Sequence, residues 1–194
     1  MDEQRAVLLL MLLSLSAASP LPSNVALNKA TFSSGQNNKS RSSSVVVDGD
    51  QSDSFTYPST GRFCTQCFLS TLSDNPWWRV DLGGQFFITN ISIYTGAAGY
   101  IIGPFEILSK ETSGNLNPAV YYSQWNVIQS VSKLDSTYEY PLPTAVYAQH
   151  VAIMEKKDPR NPEYQQRLVL TEVEVYGFGE LYVILLFEFQ LISN

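Results

Sequence analysis

The sequence predicts an all-β protein folded as an antiparallel sandwich. Short apolar runs recur with turn residues between them, and no long stretch shows the 3.6-residue period of an amphipathic helix. One run alternates clearly, because Trp78, Val80 and Leu82 share a single face of an extended strand. Strands are predicted at residues 77–82, 86–94, 105–108, 125–131, 138–140, 150–154 and 168–176.

The opposite face of the first of these strands carries Trp77, Arg79 and Asp81. An arginine that follows two adjacent tryptophans could contact a ligand. Its partner is built in two residues later, however, so an internal Arg79–Asp81 ion pair that holds the strand is the better interpretation.

Composition excludes several classes of function. The formal net charge is −6 and charged residues make up 15% of the chain, without a Lys/Arg cluster, which argues against binding nucleic acid or anionic lipid. The chain has one histidine, His150, in a predicted strand where a structural role is expected. No Ser/His/Asp constellation, phosphate loop or catalytic carboxylate pair is present, so the sequence predicts a protein that is not an enzyme.

The two ends of the chain differ from its middle. Residues 1–18 hold a short apolar run that ends in small residues, which indicates a secretory signal peptide and an extracellular protein. The predicted domain covers residues 24–178. Residues 179–194 form an atypical apolar tail, which is too short and too interrupted by Glu188 to predict a membrane span.

Two short motifs suit a secreted chain. Cys64 and Cys67 form a C-x-x-C for which a local disulfide is favoured over an intermolecular bond, free thiols or redox chemistry. One such motif and one histidine cannot supply a four-ligand zinc site. Asn38 and Asn90 each begin a glycosylation sequon, and the loop site at Asn38 is the better of the two.

Acidic residues occur near both ends of the predicted domain. Asp48-Gly49-Asp50 follows a β-branched run, and Glu172 and Glu174 lie on one face of the last strand, away from Val173 and Val175. Taken alone, the first is typical of a solvated turn and the second of a wet strand face. Both belong to a larger set of motifs at residues 24–30, 47–50, 64–66, 75–83 and 171–176.

Together, in this order, these motifs resemble the F-type lectin (fucolectin) family over residues 24–178, nearly the whole of the mature chain that the signal peptide would leave. The resemblance implies an antiparallel β-sandwich jelly roll of the galactose-binding-domain type with a structural calcium ion. Calcium prefers six to eight hard oxygen ligands. The implied ligands are backbone or side-chain oxygens of Val45, Asp48, Asp50, Ser59, Thr171 and Glu172.

The residues that bind fucose in that family are replaced in this chain. Gln66 stands where fucose-binding members have a histidine, and residues 95–103 contain neither the arginines nor the cysteines of the family's clamp. The resemblance therefore implies a glycan or glycoprotein ligand without fucose specificity. The candidate contacts are Gln66, Tyr57, Arg62 and Tyr100. The alternative function is a structural or adhesion module that binds protein, and the sequence leaves homo-oligomerisation open.

Overall fold

The computed structural model describes residues 21–38, 40–52, 55–56, 63–64, 66–95, 103–132, 137–157 and 166–179, with the backbone alone at residues 55–56 and 63–64. Two short 3₁₀ helices span Ser43–Val47 and Tyr122–Gln124. The strands are β1 (Ser23–Asn24), β2 (Ala30–Ser33), β3 (Phe55–Thr56), β4 (Phe63–Cys64), β5 (Phe68–Leu69), β6 (Trp77–Tyr94), β7 (Phe105–Lys110), β8 (Asn126–Val131), β9 (Thr137–Glu155), β10 (Val169–Leu170) and β11 (Glu172–Gly179).

Seven of these strands form one antiparallel sheet. Its order is β1-β11-β6-β9-β7-β8, and β2 pairs with the first part of β6. Two small antiparallel pairs, β5–β10 and β3–β4, accompany it. The predicted antiparallel all-β architecture is confirmed.

The sheet makes both layers of the sandwich because its two longest strands change partners along their length. The first part of β6 pairs with β2 and with the end of β9, whereas its second part pairs with β11 and with the start of β9. The register shifts between Asp81 and Phe86, where Gly83 adopts a φ of +77°. Such a bulge bends a strand without ending its pairing.

The prediction of separate strands at 77–82 and 86–94 is therefore wrong, and so is the separation of 138–140 from 150–154. Each pair of segments belongs to one continuous strand. The Gly83-Gly84 sequence between the first two segments lies in the bulge.

The core lies between the two layers. Trp78, Val80 and Leu82 are fully buried from one layer, as the alternation predicted, and Val173 and Val175 are fully buried from the other. The Trp78 indole Nε1 also donates to the Ser43 carbonyl at 3.0 Å, which ties the first 3₁₀ helix to the core. We call the layer that holds the first part of β6 the first layer. A smaller apolar cluster covers its outer face and contains Trp77, Leu108, Trp125, Ala152 and Met154.

Both ends of β6 lie at one end of the sandwich, which we call the loop end. The Thr171 N–H donates to the Tyr94 carbonyl at 2.8 Å, and five residues earlier Gln166 exchanges backbone hydrogen bonds with Ser73, just before β6 begins. A five-residue segment is short, so it brings these two regions close together. We define the loop end by Ser73–Trp77, Tyr94–Thr95, Gly103, Glu155 and Gln166–Glu172.

Within the described ranges, no helix is long and apolar enough to cross a membrane. The predicted signal peptide at residues 1–18 lies outside the described residues, and so does the predicted tail beyond Gly179. Both stay predictions.

Candidate functional site

A buried glutamate meets a glycine turn at the loop end. Glu172 begins β11, and because Val173 and Val175 point into the core, its side chain faces the outer surface of the sheet. There the turn that follows the first 3₁₀ helix covers it. Val46 and Val47 anchor that helix in the core, and the Gly49 N–H donates to Glu172 Oε1 at 3.1 Å. Glu172 is 0% exposed as a result.

The electrostatics of this site favour a cation. Glu172 Oε2 is buried and has no hydrogen-bond partner. Burial, together with the nearby carboxylates of Asp48 and Glu174, raises the pKa of Glu172 to about 8. An ionised carboxylate in such a place is costly unless an opposite charge or a hydrogen bond compensates it.

The structure brings together only part of the predicted calcium ligand set. Asp48 lies near Glu172, and its carboxylate contributes to the raised pKa of Glu172. Asp50 is exposed, and hydrogen bonds from the Ser52 side chain and from the Ser52 N–H, the latter at 2.9 Å, lower the pKa of its carboxyl group. Thr171 directly precedes Glu172, Val45 packs against the main core, and Ser59 lies outside the described residues.

In the described part of the chain, no group of three or more His, Cys, Asp or Glu side chains could hold a metal ion. A calcium ion would therefore need backbone carbonyl or hydroxyl oxygens in addition to Glu172 and Asp48. Calcium binds such oxygens readily, and the orphaned Glu172 Oε2 offers it one more. The residues present fit the chemistry of a calcium site.

A second buried glutamate at the loop end, Glu155, was missed by the sequence reasoning. It ends β9, is 3% exposed, and accepts the Gly103 N–H through Oε1 at 2.9 Å. Its Oε2 has no partner, and burial raises its pKa to about 7. Nothing in the local sequence before Lys156 and Lys157 signals this burial, because residues distant in sequence produce it.

The outer face of β11 carries a hydrogen-bonded polar group next to the site. Glu174 accepts from the Tyr94 hydroxyl at 3.1 Å and from Gln51 Nε2 at 3.0 Å. Burial and the adjacent Glu174 raise the pKa of Tyr94 to about 12. The predicted placement of Glu172 and Glu174 on one face is confirmed, but Glu172 is covered and only Glu174 is part of a wet face.

Arg79 does not bind Asp81 directly in the way predicted. His150 Nδ1 lies 3.4 Å from Arg79 Nη1 and 3.8 Å from Asp81 Oδ1, so the buried histidine lies between the two residues. The Arg79 guanidinium also lies 4.0 Å from the ring centroid of Phe32. Strand pairing explains the difference, since β9 places His150 directly opposite Asp81. The prediction that Arg79 and His150 are structural agrees with their burial.

The predicted sugar contacts are largely beyond the described residues. Gln66 is half-buried next to the buried Cys67, whereas Tyr57, Arg62 and Tyr100 lie outside the described residues. Cys67 is not a free thiol. The Cys64 side chain is not described, so the Cys64–Cys67 pairing stays a prediction.

The two sequons differ in their surroundings. Asn38 is exposed in a turn, whereas Asn90 lies within β6 with its Oδ1 buried and without a partner. Glycosylation of either residue stays a prediction, and the placement favours Asn38.

Comparisons with known proteins agree with the fold. The family model described as F5/F8 type C, NedA-like, galactose-binding domain matches residues 45–153, more than half of the 194 residues. No curated protein sequence matches the chain.

Several solved structures are similar. A fucose binding module of Streptococcus pneumoniae, SpX-3, has a TM-score of 0.58 at 18% identity, over 81% of this chain and 99% of that one. A serum fucolectin of the striped bass, Morone saxatilis, has a TM-score of 0.61 at 22% identity, over 80% of this chain and 49% of that one. Chitosan-binding module 2 of a Paenibacillus chitosanase/glucanase, solved with chitotriose, has a TM-score of 0.57 at 20% identity, over 79% and 100%.

These identities show the fold alone. The predicted jelly-roll sandwich is confirmed, and the resemblance holds at the level of the galactose-binding domain, while membership of the F-type fucolectins stays a prediction. The chain belongs to the F5/F8 type C family of NedA-like, galactose-binding domains.

Proposed function

We propose that the protein is a lectin-like domain that binds carbohydrate, as free glycan or on glycoproteins, at the loop end. The observation that carries the proposal is that both ends of β6, the start of β11 and the end of β9 meet there. Binding residues are commonly carried by the loops that a rigid β scaffold holds at one end. The family and the sugar-binding modules among the structural neighbours support this assignment.

The sugar need not be fucose. Gln66 and the residues 95–103 lack the positive groups expected of a fucose clamp. The candidate contacts are Gln66, Tyr57, Arg62 and Tyr100. Tyrosine offers an apolar ring face with a polar tip, and Arg and Gln offer hydrogen bonds to hydroxyl groups. Such a set suits a neutral sugar ring.

A structural calcium ion is part of the proposal. Glu172 and Asp48 would hold it, together with oxygens of Val45, Asp50, Ser59 and Thr171. When bound, the ion neutralises the two carboxylates. The chain's own role is to deliver the turn at Asp48–Gly49 onto the start of β11, as the Gly49–Glu172 hydrogen bond does.

The remaining parts of the proposal concern the cell. A signal peptide at residues 1–18, a Cys64–Cys67 disulfide and a glycan at Asn38 all suit a secreted protein. A binding role without catalysis is consistent with the family and with the scarcity of general bases in the sequence.

A glycan array with the secreted protein, probed with calcium and with chelator, tests the function. We expect binding to one class of glycans in calcium and weaker binding in chelator. Glu172→Gln serves as the matched variant, because it keeps the shape of the side chain but removes its charge. An absence of binding to every glycan in calcium would overturn the proposal.

A further inference from the structure

We propose that Glu155 is a positioning residue of the glycan site, whose buried carboxyl fixes Gly103 at the loop end and does so in its neutral, protonated form. The inference rests on the proposed function for the location of the site. The protonation state of Glu155 and its hydrogen bond to Gly103 can be tested separately from that function.

Glu155 connects strand ends that are distant in sequence. Its N–H donates to the Pro76 carbonyl at 2.9 Å, just before β6 begins. Its Oε1 accepts the Gly103 N–H at 2.9 Å, two residues before β7 begins. The next residue continues the same link, since the Lys156 N–H donates to the Pro104 carbonyl at 2.6 Å. Glu155 therefore lies where the chain enters two strands of the first layer.

Gln166 lies against Gly103 together with Glu155. A β-carbon on Gly103 would lie 3.0 Å from Glu155 Oε1 and 3.2 Å from Gln166 Nε2. Both side chains thus approach the Gly103 backbone closely, and a larger residue there would push them aside by a few tenths of an ångström. Gln166 in turn exchanges backbone hydrogen bonds with Ser73.

The partners of this cluster do not suit an ionised carboxylate. Glu155 Oε2, Gln166 Oε1 and Ser73 Oγ are all buried without a hydrogen-bond partner. An ionised Glu155 can only accept hydrogen bonds, so it cannot satisfy another acceptor. A proton on Oε2 converts that oxygen into a donor for its surroundings.

No positive charge in the described residues compensates Glu155. The charged groups on the adjoining segments are Asp74, Glu106, Lys156, Lys157 and Arg167. Lys156 pairs with Glu106 at 3.2 Å and Lys157 with Asp74 at 3.0 Å. None of the five contributes to the raised pKa of Glu155, which burial causes and the Gly103 hydrogen bond opposes.

The contribution of Glu155 to the stability of the folded protein falls as the pH rises. The pKa of Glu155 rises from 4.5 in the unfolded chain to about 7 in the folded protein. Its stabilising effect is therefore full below pH 4.5 and is lost as the pH rises toward 7. Above pH 7 the buried group is charged and has no counter-charge, which favours local opening that exposes Glu155 to water and breaks its hydrogen bond to Gly103.

Amide hydrogen exchange at Gly103, corrected for intrinsic rates, measures this opening directly. In the wild-type protein we expect the protection factor to fall by up to about tenfold per pH unit between pH 4.5 and pH 7 and to level off above pH 7. Glu155→Gln keeps the acceptor for Gly103, adds a neutral donor and should give a flat profile. Glu106→Gln, which removes a charge from the outer face, is the matched control and should keep the wild-type profile. A flat wild-type profile, or an unchanged profile in Glu155→Gln, would overturn the proposal.

Glycan affinity between pH 5 and pH 7 supplies the second readout. We expect it to fall with rising pH in the wild-type protein and to stay constant in Glu155→Gln. An affinity that ignores pH while Gly103 protection changes would overturn the positioning role. If no glycan binds at all, the proposed function fails, yet the exchange data still decide the state of Glu155. Should Glu155→Gln not fold, carboxyl NMR titration of the wild-type residue replaces it, and a midpoint below pH 5 contradicts the proposal.

Discussion

Two buried glutamates at the same end of the sandwich have nearly the same local geometry and different neighbours. Glu172 and Glu155 each accept the N–H of a glycine, Gly49 at 3.1 Å and Gly103 at 2.9 Å. Each leaves its second carboxylate oxygen buried without a partner, and burial raises the pKa of both.

The difference lies in what stands beside each carboxyl group. Glu172 has a second carboxylate, Asp48, next to it, whereas Glu155 has the neutral amide of Gln166 across Gly103. Two carboxylates in one place attract a metal cation, whereas a single buried carboxyl can become neutral by taking up a proton. Whether a metal cation or a proton neutralises a buried carboxyl group therefore depends on the adjacent side chain and not on burial alone.

Replacing each of the two glycines by alanine should give the largest difference between the two glutamate sites. A β-carbon at Gly103 would press on Glu155 and Gln166, so Gly103→Ala should cost about 1–3 kcal/mol of unfolding free energy. Gly49 has a φ of +85°, and its β-carbon would meet only Leu27 Cδ1, at 3.2 Å. We expect Gly49→Ala to cost about 1 kcal/mol through backbone strain.

Denaturant unfolding with and without calcium measures both effects. Gly49→Ala should also weaken the response to calcium, because Gly49 donates to Glu172, whereas Gly103→Ala should leave that response intact. A calcium response that is lost in Gly103→Ala but kept in Gly49→Ala would reverse the assignment of the two sites.

His150 should affect the pH dependence of stability less than the glycine replacements affect stability itself, and with a sign opposite to that of the buried glutamates. Burial lowers its pKa below 6.5, and the charges of Arg79 and Lys110 act in the same direction against the attraction of Asp81. The unfolded chain then binds the proton more tightly, so stability is full above pH 6.5 and falls as the pH drops below it, by at most about 1.4 kcal/mol per pH unit.

Thermal unfolding between pH 5 and pH 8 measures this branch. His150→Gln should remove the loss of stability on the acid side of the profile and leave the loss with rising pH, which we assign to Glu155 and Glu172, unchanged. An acid side that persists in His150→Gln would assign it to other groups.

Residue patterns were enough to predict the sandwich and the inward face of five core residues, Trp78, Val80, Leu82, Val173 and Val175. Period-two alternation places Trp78 and Val80 inside correctly, since that pattern is local. The continuity of β6 and the burial of Glu155 were not predictable in the same way. They depend on pairing with strands far away in the sequence, as does the position of His150 between Arg79 and Asp81. Glu172 was found through its family motif, and its burial needed the fold.

Calcium titration by calorimetry, with the wild-type protein and the matched variants Glu172→Gln and Glu155→Gln, tests the central claim most directly. The comparison predicts one calcium ion per chain in the wild-type protein and in Glu155→Gln, and none in Glu172→Gln. No calcium binding by the wild-type protein, or a loss of binding in Glu155→Gln with Glu172→Gln unaffected, would contradict it.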